Sequence, residues 1–157
     1  MTITVSTIIS AIKRHLSTIG KRLYTKDGKN LFSDITLSSA EETQILTQYI
    51  NASYYDVEGA LKQFITPDST TPEAGKIKFT IQNTRGDTDF PARSQEMIES
   101  YITLNSVGEY LSMLHHDLAA KYHLDAQQRL ESLVSYVFYK KPPTATADQT
   151  SGTATVS

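Results

Sequence analysis

Residues 39–65 read SAEETQILTQYINASYYDVEGALKQFI, and the way this stretch is decoded decides the fold class. Ser39 stands three residues before Glu42, so its hydroxyl can accept the third helical amide while the carboxylate reaches back to the cap amide. From there Ile45, Leu46, Tyr49, Ile50, Ser53, Val57, Leu61, Phe64 and Ile65 recur at helical spacing, a broad face that must be buried. Pro67 disfavours helical geometry at Thr66, so the pattern predicts one long helix over residues 39–65.

The same reading extends in both directions. Val5, Ile8, Ile9, Ile12, Leu16, Ile19 and Leu23 predict a helix over residues 4–24 with Lys13, Arg14, Lys21 and Arg22 on its polar face. Asp27-Gly28 is a turn signal, and the weak alternation at residues 31–37 reads as a short strand or an ordered loop. Residues 67–75 are a Thr, Ser, Pro and Gly loop; residues 76–84 then alternate Ile77, Phe79, Ile81 with polar positions, a half-buried strand. One strand needs a partner, and the candidates are residues 31–37 or the equivalent strand of another subunit.

Asp89 and Pro91 suit the start of a helix carrying Met97, Ile98, Tyr101, Ile102 and Leu104. Ser106-Val107-Gly108-Glu109 repeats the Ser-x-x-Glu signature, which predicts that the helix kinks or restarts there before Tyr110, Leu111, Leu114, Leu118 and Tyr122. Asp125 with Gln128 opens a last helix bearing Leu130, Leu133, Val134, Val137 and Phe138, ended by Lys140, Lys141 and Pro142-Pro143. The expected fold class is therefore mainly α: a helical bundle of four to five helices with a small β-element near 76–84. Residues 1–141 form a single domain, and residues 142–157 are a low-complexity C-terminal tail rich in Thr, Ala and Ser.

Composition narrows the function classes. At 157 residues, 20% charged and 39% hydrophobic, the chain is of ordinary globular composition. It has no apolar run of the roughly 18–20 residues that span a bilayer. Its first ten residues, MTITVSTIIS, lack the basic region and small-residue site of a secretory signal, so synthesis in the cytoplasm is expected. Zero cysteines remove disulfides, thiolate metal sites and cysteine nucleophiles. Net charge is −2 but uneven: residues 1–30 hold six cations against Asp27, net +5, while the rest holds nine against sixteen carboxylates, net −7. Such polarity can steer an anionic partner to one end, or bring the basic end of one copy to the acidic body of the next. It is equally what a solvated basic helix face would give.

Chemistry-bearing motifs are sparse. His115-His116-Asp117 is the densest cluster of potential ligands, but adjacent helical residues diverge by about 100° and cannot clasp one ion as an i, i+4 pair does. A solvent-facing or interface pair is the expectation. There is no Gly-x-Ser-x-Gly elbow and no glycine-rich phosphate loop; Glu41-Glu42 and Glu96-Glu99 sit where a helix's first turn favours negative charge. Arg85-Gly86-Asp87 reads as a turn, not as an adhesion tripeptide. No catalytic residues, metal ligands or cofactors are assigned, and the chain is not expected to be an enzyme. Nine tyrosines and no tryptophan remain. Tyr49 and Tyr101 fall inside the apolar stripes, whereas Tyr54, Tyr55 and Tyr139 fall at stripe edges and are candidates for a contact surface, along with the cations Lys13, Arg14, Lys21 and Arg22.

Two segments, ITLSSAEETQILTQYINASYYDVEGALKQFI at 35–65 and LDAQQRLESLVSYVFYKKPP at 124–143, together resemble the helices of tailed-bacteriophage head–tail connector (adaptor) proteins. The likeness is one of helix order and capping over residues 35–65 and 95–143; residues 4–24 have no counterpart in it. It implies a small helical virion protein that closes into a ring under the portal at the virion neck and continues the DNA channel. The implied partners are further copies of itself, the portal protein and other tail or connector proteins, with DNA only as passing cargo and no membrane. The alternative from the residues alone is a small nucleic-acid-binding module that uses Lys13, Arg14, Lys21 and Arg22 on phosphates.

Overall fold

A computed structural model of the protein describes residues 1–20, 40–67 and 75–139. In chain order the elements are β1 (Thr2–Thr4), α1 (Val5–Gly20), α2 (Ala40–Ala60), β2 (Ile65–Pro67), β3 (Lys76–Ile81), α3 (Phe90–Ser112) and α4 (His116–Phe138). The expected class, mainly α with a small β-element, is what the chain adopts. The 142–157 tail, the 31–37 segment, Ser39 with its cap, and Lys21 and Arg22 lie outside the described residues.

All four helices contribute side chains to a single core. Val5, Ile8, Ile12, Leu16 and Gly20 are the buried positions of α1, spaced by three and four. Leu46, Ile50, Ser53, Tyr54 and Val57 are those of α2. α3 is the central helix, burying residues around most of its circumference, among them Phe90, Ile98, Tyr101, Ile102, Val107 and Leu111. It pairs with α4 as an antiparallel hairpin. Phe90 at the start of α3 stacks on Tyr136 near the end of α4, with ring centroids 5.5 Å apart.

The helix expected over residues 39–65 stops earlier, at Ala60. The Leu61 and Ile65 amides continue with i→i−4 bonds to Val57 and Leu61, then the chain extends into β2. The apolar period continues to Ile65, but two influences end the helix: Gly59 weakens it, and the backbone of residues 65–67 pairs with β3. The sheet has the order β1-β3-β2, all antiparallel, with Ile3 opposite Ile77 and Thr66 opposite Thr80. The strand of residues 76–81 is therefore flanked on both sides by this chain itself. Neither expected partner fills those places: residues 2–4 and 65–67 do. Met1 extends the ladder, its amino group donating to the Phe79 carbonyl at 2.7 Å. The outer edges are also occupied or blunted, since the Gln95 amide donates to the Thr2 carbonyl and Pro67 has no amide hydrogen to offer.

The helix boundaries in the second half also differ from the sequence expectation. α3 runs without a break through Asn105-Ser106-Val107-Gly108, and α4 runs through Asp125-Gln128. The single break is at residues 113–115. There His115 is extended (φ −155°, ψ 93°) and its ring Nδ1 accepts the Leu118 amide at 3.4 Å, serving as N-cap. Ser106 and Gly108 are fully buried, because the small side chains let α4 approach closely. A Cβ on Gly108 would lie 2.9 Å from the His123 ring. The packing thus outweighs the local capping signal.

Candidate interaction surfaces

The sequence-derived contact residues fare differently. On α1, Arg14 is exposed and Lys13 half-buried. Tyr55 and Tyr139 are exposed, at 68% and 53% of their surface. Tyr54 is a correction: expected at a contact surface, it is buried in the core, its ring 5.7 Å from that of Phe79. The turn of α2 carries it inward beneath the sheet, a direction set by where β3 lies. Its hydroxyl is buried without a hydrogen-bond partner, and burial, then the Glu58 charge and Tyr55, push its pKa up to about 12. Tyr101 is buried, as its place in the stripe implied, and Tyr49 is half-buried. Of the histidine pair, His115 caps α4 and His116 is exposed.

Two groups of exposed large apolar side chains stand at the ends of α4, with Tyr55 and Leu124 exposed apart from them. At the α3–α4 corner, Met113 and Leu114 are exposed; the Tyr49 hydroxyl reaches to 3.8 Å from the Met113 sulfur, and Ile45 lies one turn earlier on α2. At the other end of α4, Phe138 and Tyr139 are exposed, with Phe64 edge-on to Phe138 at 4.6 Å. Arg85 extends over the rings of Tyr136 and Tyr139 at 4.6 and 5.0 Å, and its Nε bonds Asp87 at 3.1 Å. That ion pair and the positive φ of Gly86 show Arg85-Gly86-Asp87 working as a turn that fixes the α4 C-terminus. The Thr84 hydroxyl adds a bond to the Val137 carbonyl. α4 has 23 residues, so at about 1.5 Å per residue the two apolar ends stand about 34 Å apart.

Between the ends, α2, α3 and α4 enclose a polar site that no local motif announced. The Ser53 hydroxyl donates to the Tyr49 carbonyl and accepts from the Asn105 amide at 3.0 Å. With the Asn105 amide spent in this way, its oxygen accepts from His123 Nδ1 at 3.1 Å. His123 Nε2 then faces Glu109 Oε1 at 4.0 Å. Alongside, the Tyr101 hydroxyl donates to Asp56 Oδ2 at 3.1 Å, and burial followed by the Asp56 charge holds the phenol pKa well above its usual value. Asp56, Tyr101, Asn105, Glu109 and His123 border a pocket of about 580 Å³. The only hint in the sequence was the run of small and polar residues Asn105, Ser106 and Gly108, which read as a helix interruption.

No family model, curated protein or solved structure matches this chain. Among the described residues, no group of three or more His, Asp or Glu side chains is gathered as a metal site requires. No described helix is long and apolar enough to cross a membrane.

Proposed function

We propose that the protein is a structural assembly unit of a tailed-phage virion, of the head–tail connector kind. Its copies join head to tail into a ring beneath the portal that continues the DNA channel. The observation that carries this reading is the pair of exposed apolar ends: Met113 and Leu114 with Tyr49 at one end of α4, Phe138 and Tyr139 at the other. Two different surfaces on one subunit are what a heterologous contact needs, and such contacts close into a ring when the rotation per subunit allows. Aromatic and methionine side chains are also the types enriched at such contacts. The helical hairpin between the ends acts as a spacer of defined length.

Light scattering and native mass spectrometry of the protein, alone and with its portal protein, test the proposal. A ring, or a complex with the portal that loses its copies when Met113 and Leu114 are replaced by aspartate, is the expected result. A monomer that ignores the portal overturns it. Salt-dependent DNA binding by a monomer, lost when Lys13, Arg14, Lys21 and Arg22 become alanine, would replace it with the nucleic-acid reading.

A further inference from the structure

The two apolar ends of α4 are set among opposite charges. At the C-terminal end Arg85 lies over the rings of Tyr136 and Tyr139, and Arg93, exposed on the first turn of α3, lies over Tyr136 at 5.5 Å. Asp87 neutralises Arg85. Among the described residues no carboxylate pairs with Arg93, not even Asp89 and Glu96, the nearest to it along the chain. Lys140 and Lys141 follow Tyr139 in the sequence. At the N-terminal end the neighbours of Met113 and Leu114 are acidic. Glu41 is exposed one turn before Ile45, and Asp117 is exposed in the first turn of α4, with Lys121 the cation one turn beyond it. Burial and then the Glu42 charge raise the Tyr110 pKa, which sets that carboxylate beside Tyr110, one turn before Leu114.

Three occupants could meet the surface formed by Arg93, Phe138 and Tyr139. The same end of another copy would bring Arg93 towards Arg93, a like-charge approach. A nucleic-acid strand needs open ring faces for its bases, but Phe90 is stacked on Tyr136 and Arg85 lies over Tyr136 and Tyr139, while Asp87 and Asp89 repel phosphates. The opposite end of another copy matches in both respects. It brings carboxylates to Arg93, and it brings Met113, whose sulfur is a favourable neighbour for an aromatic ring, to Tyr139 and Phe138. We propose that the Arg93, Phe138 and Tyr139 surface receives the α3–α4 corner of a second copy, with Arg93 set against the Glu41-Glu42 turn of its α2. This inference rests on the head-to-tail contact proposed above and adds what gives that contact its direction. Like ends repel, so two copies do not close on each other as a two-fold dimer, and every contact leaves one end of each kind for the next copy.

The test measures self-association of the full chain by sedimentation velocity. Association should weaken as salt rises, since the paired charges are exposed. Arg93→Glu and Glu41→Lys, on different helices, should each weaken it about fivefold, the size expected when an exposed attraction becomes a repulsion. Melting temperatures equal to that of the unaltered chain show that both variants are folded. A mixture of the two variants should regain association, because the intact acidic end of one meets the intact Arg93 end of the other. Equal association by both variants, while Met113→Asp with Leu114→Asp abolishes it, overturns the inference and leaves the head-to-tail reading standing. Weakening without recovery in the mixture also overturns it, as does single-stranded oligonucleotide binding that Arg93→Glu abolishes. A chain that stays monomeric at every concentration overturns it as well, and the ring reading falls too if the portal protein gathers no copies.

Discussion

Gly108 and Gly59 look alike in the sequence, each a glycine on a helix, yet opposite outcomes are expected on replacing them. A Cβ at Gly108 meets the His123 ring at 2.9 Å, so Gly108→Ala must displace the ring and with it the bond to Asn105. A loss of about 1–3 kcal/mol is expected from chemical denaturation, in the range of other overpacked sites. A Cβ at Gly59 meets nothing within 4 Å, and Gly59→Ala should instead gain about 0.5 kcal/mol by limiting the unfolded chain. The tyrosines divide in the same way. Tyr54→Phe removes a buried hydroxyl with no partner and should raise stability by about 1 kcal/mol, whereas Tyr101→Phe removes the Asp56 bond and should lower it by about as much. Alkaline titration reads the same groups. Tyr54, Tyr101 and Tyr110 all have raised folded-state pKa values, in each case mainly through burial. Their protonated forms are favoured in the folded state, so their stabilisation is complete below pH 10. It falls as pH rises from there through about 12 for Tyr54, because the unfolded phenols ionise first. Melting temperature should begin to drop above pH 10, and 295 nm absorbance should show these phenols ionising late.

The long helices were legible as apolar stripes, but their ends were not. A Ser-x-x-Glu signature at 106–109 and an Asp-x-x-Gln signature at 125–128 both lie inside continuous helices, and the real break uses a histidine cap. Capping is worth only about 1 kcal/mol. Burying Ser106, Val107 and Gly108 against α4 outweighs it, and that face is invisible until α4 is placed. Hydrogen exchange checks this directly: amides of residues 105–108 should exchange as slowly as those of 101–104, while those of His116 and Asp117, in the first turn of α4, should exchange fast. Fast exchange across 105–108 would restore the kink. At the end of α2, residues 61–65 keep a helical apolar period yet turn into a strand, since pairing with β3 satisfies backbone groups that periodicity does not register.

Considered as one body, the protein completes its own sheet and leaves its helical hairpin apolar at both ends. The expectation of a strand waiting for another subunit is thus replaced by a different kind of incompleteness, located at Met113 and Leu114 and at Phe138 and Tyr139. If the proposed assembly forms through these ends, Phe138→Ser with Tyr139→Ser should reduce the assembled fraction in native mass spectrometry without lowering the melting temperature by more than about 3–5 °C. A large drop in melting temperature with assembly intact would place these side chains in the core's service instead. Of the site, the sequence pointed to Tyr55 and Tyr139 as exposed and to Tyr101 as buried, but it misplaced Tyr54 and passed over Asn105, Glu109 and His123 as a group. Those three come from two helices, 4 residues apart on α3 and 18 from Asn105 to His123, and nothing local marks residues that meet only when a hairpin closes. What the sequence determined by itself was the mainly helical class, the apolar stripes of α1 and α2 and the β3 alternation, because a period of 3.6 or 2 is written in neighbouring residues. The tertiary structure alone decided where the helices stop, which segments flank β3, and which polar groups share a pocket, because each of those depends on free energy gained across long separations in the chain.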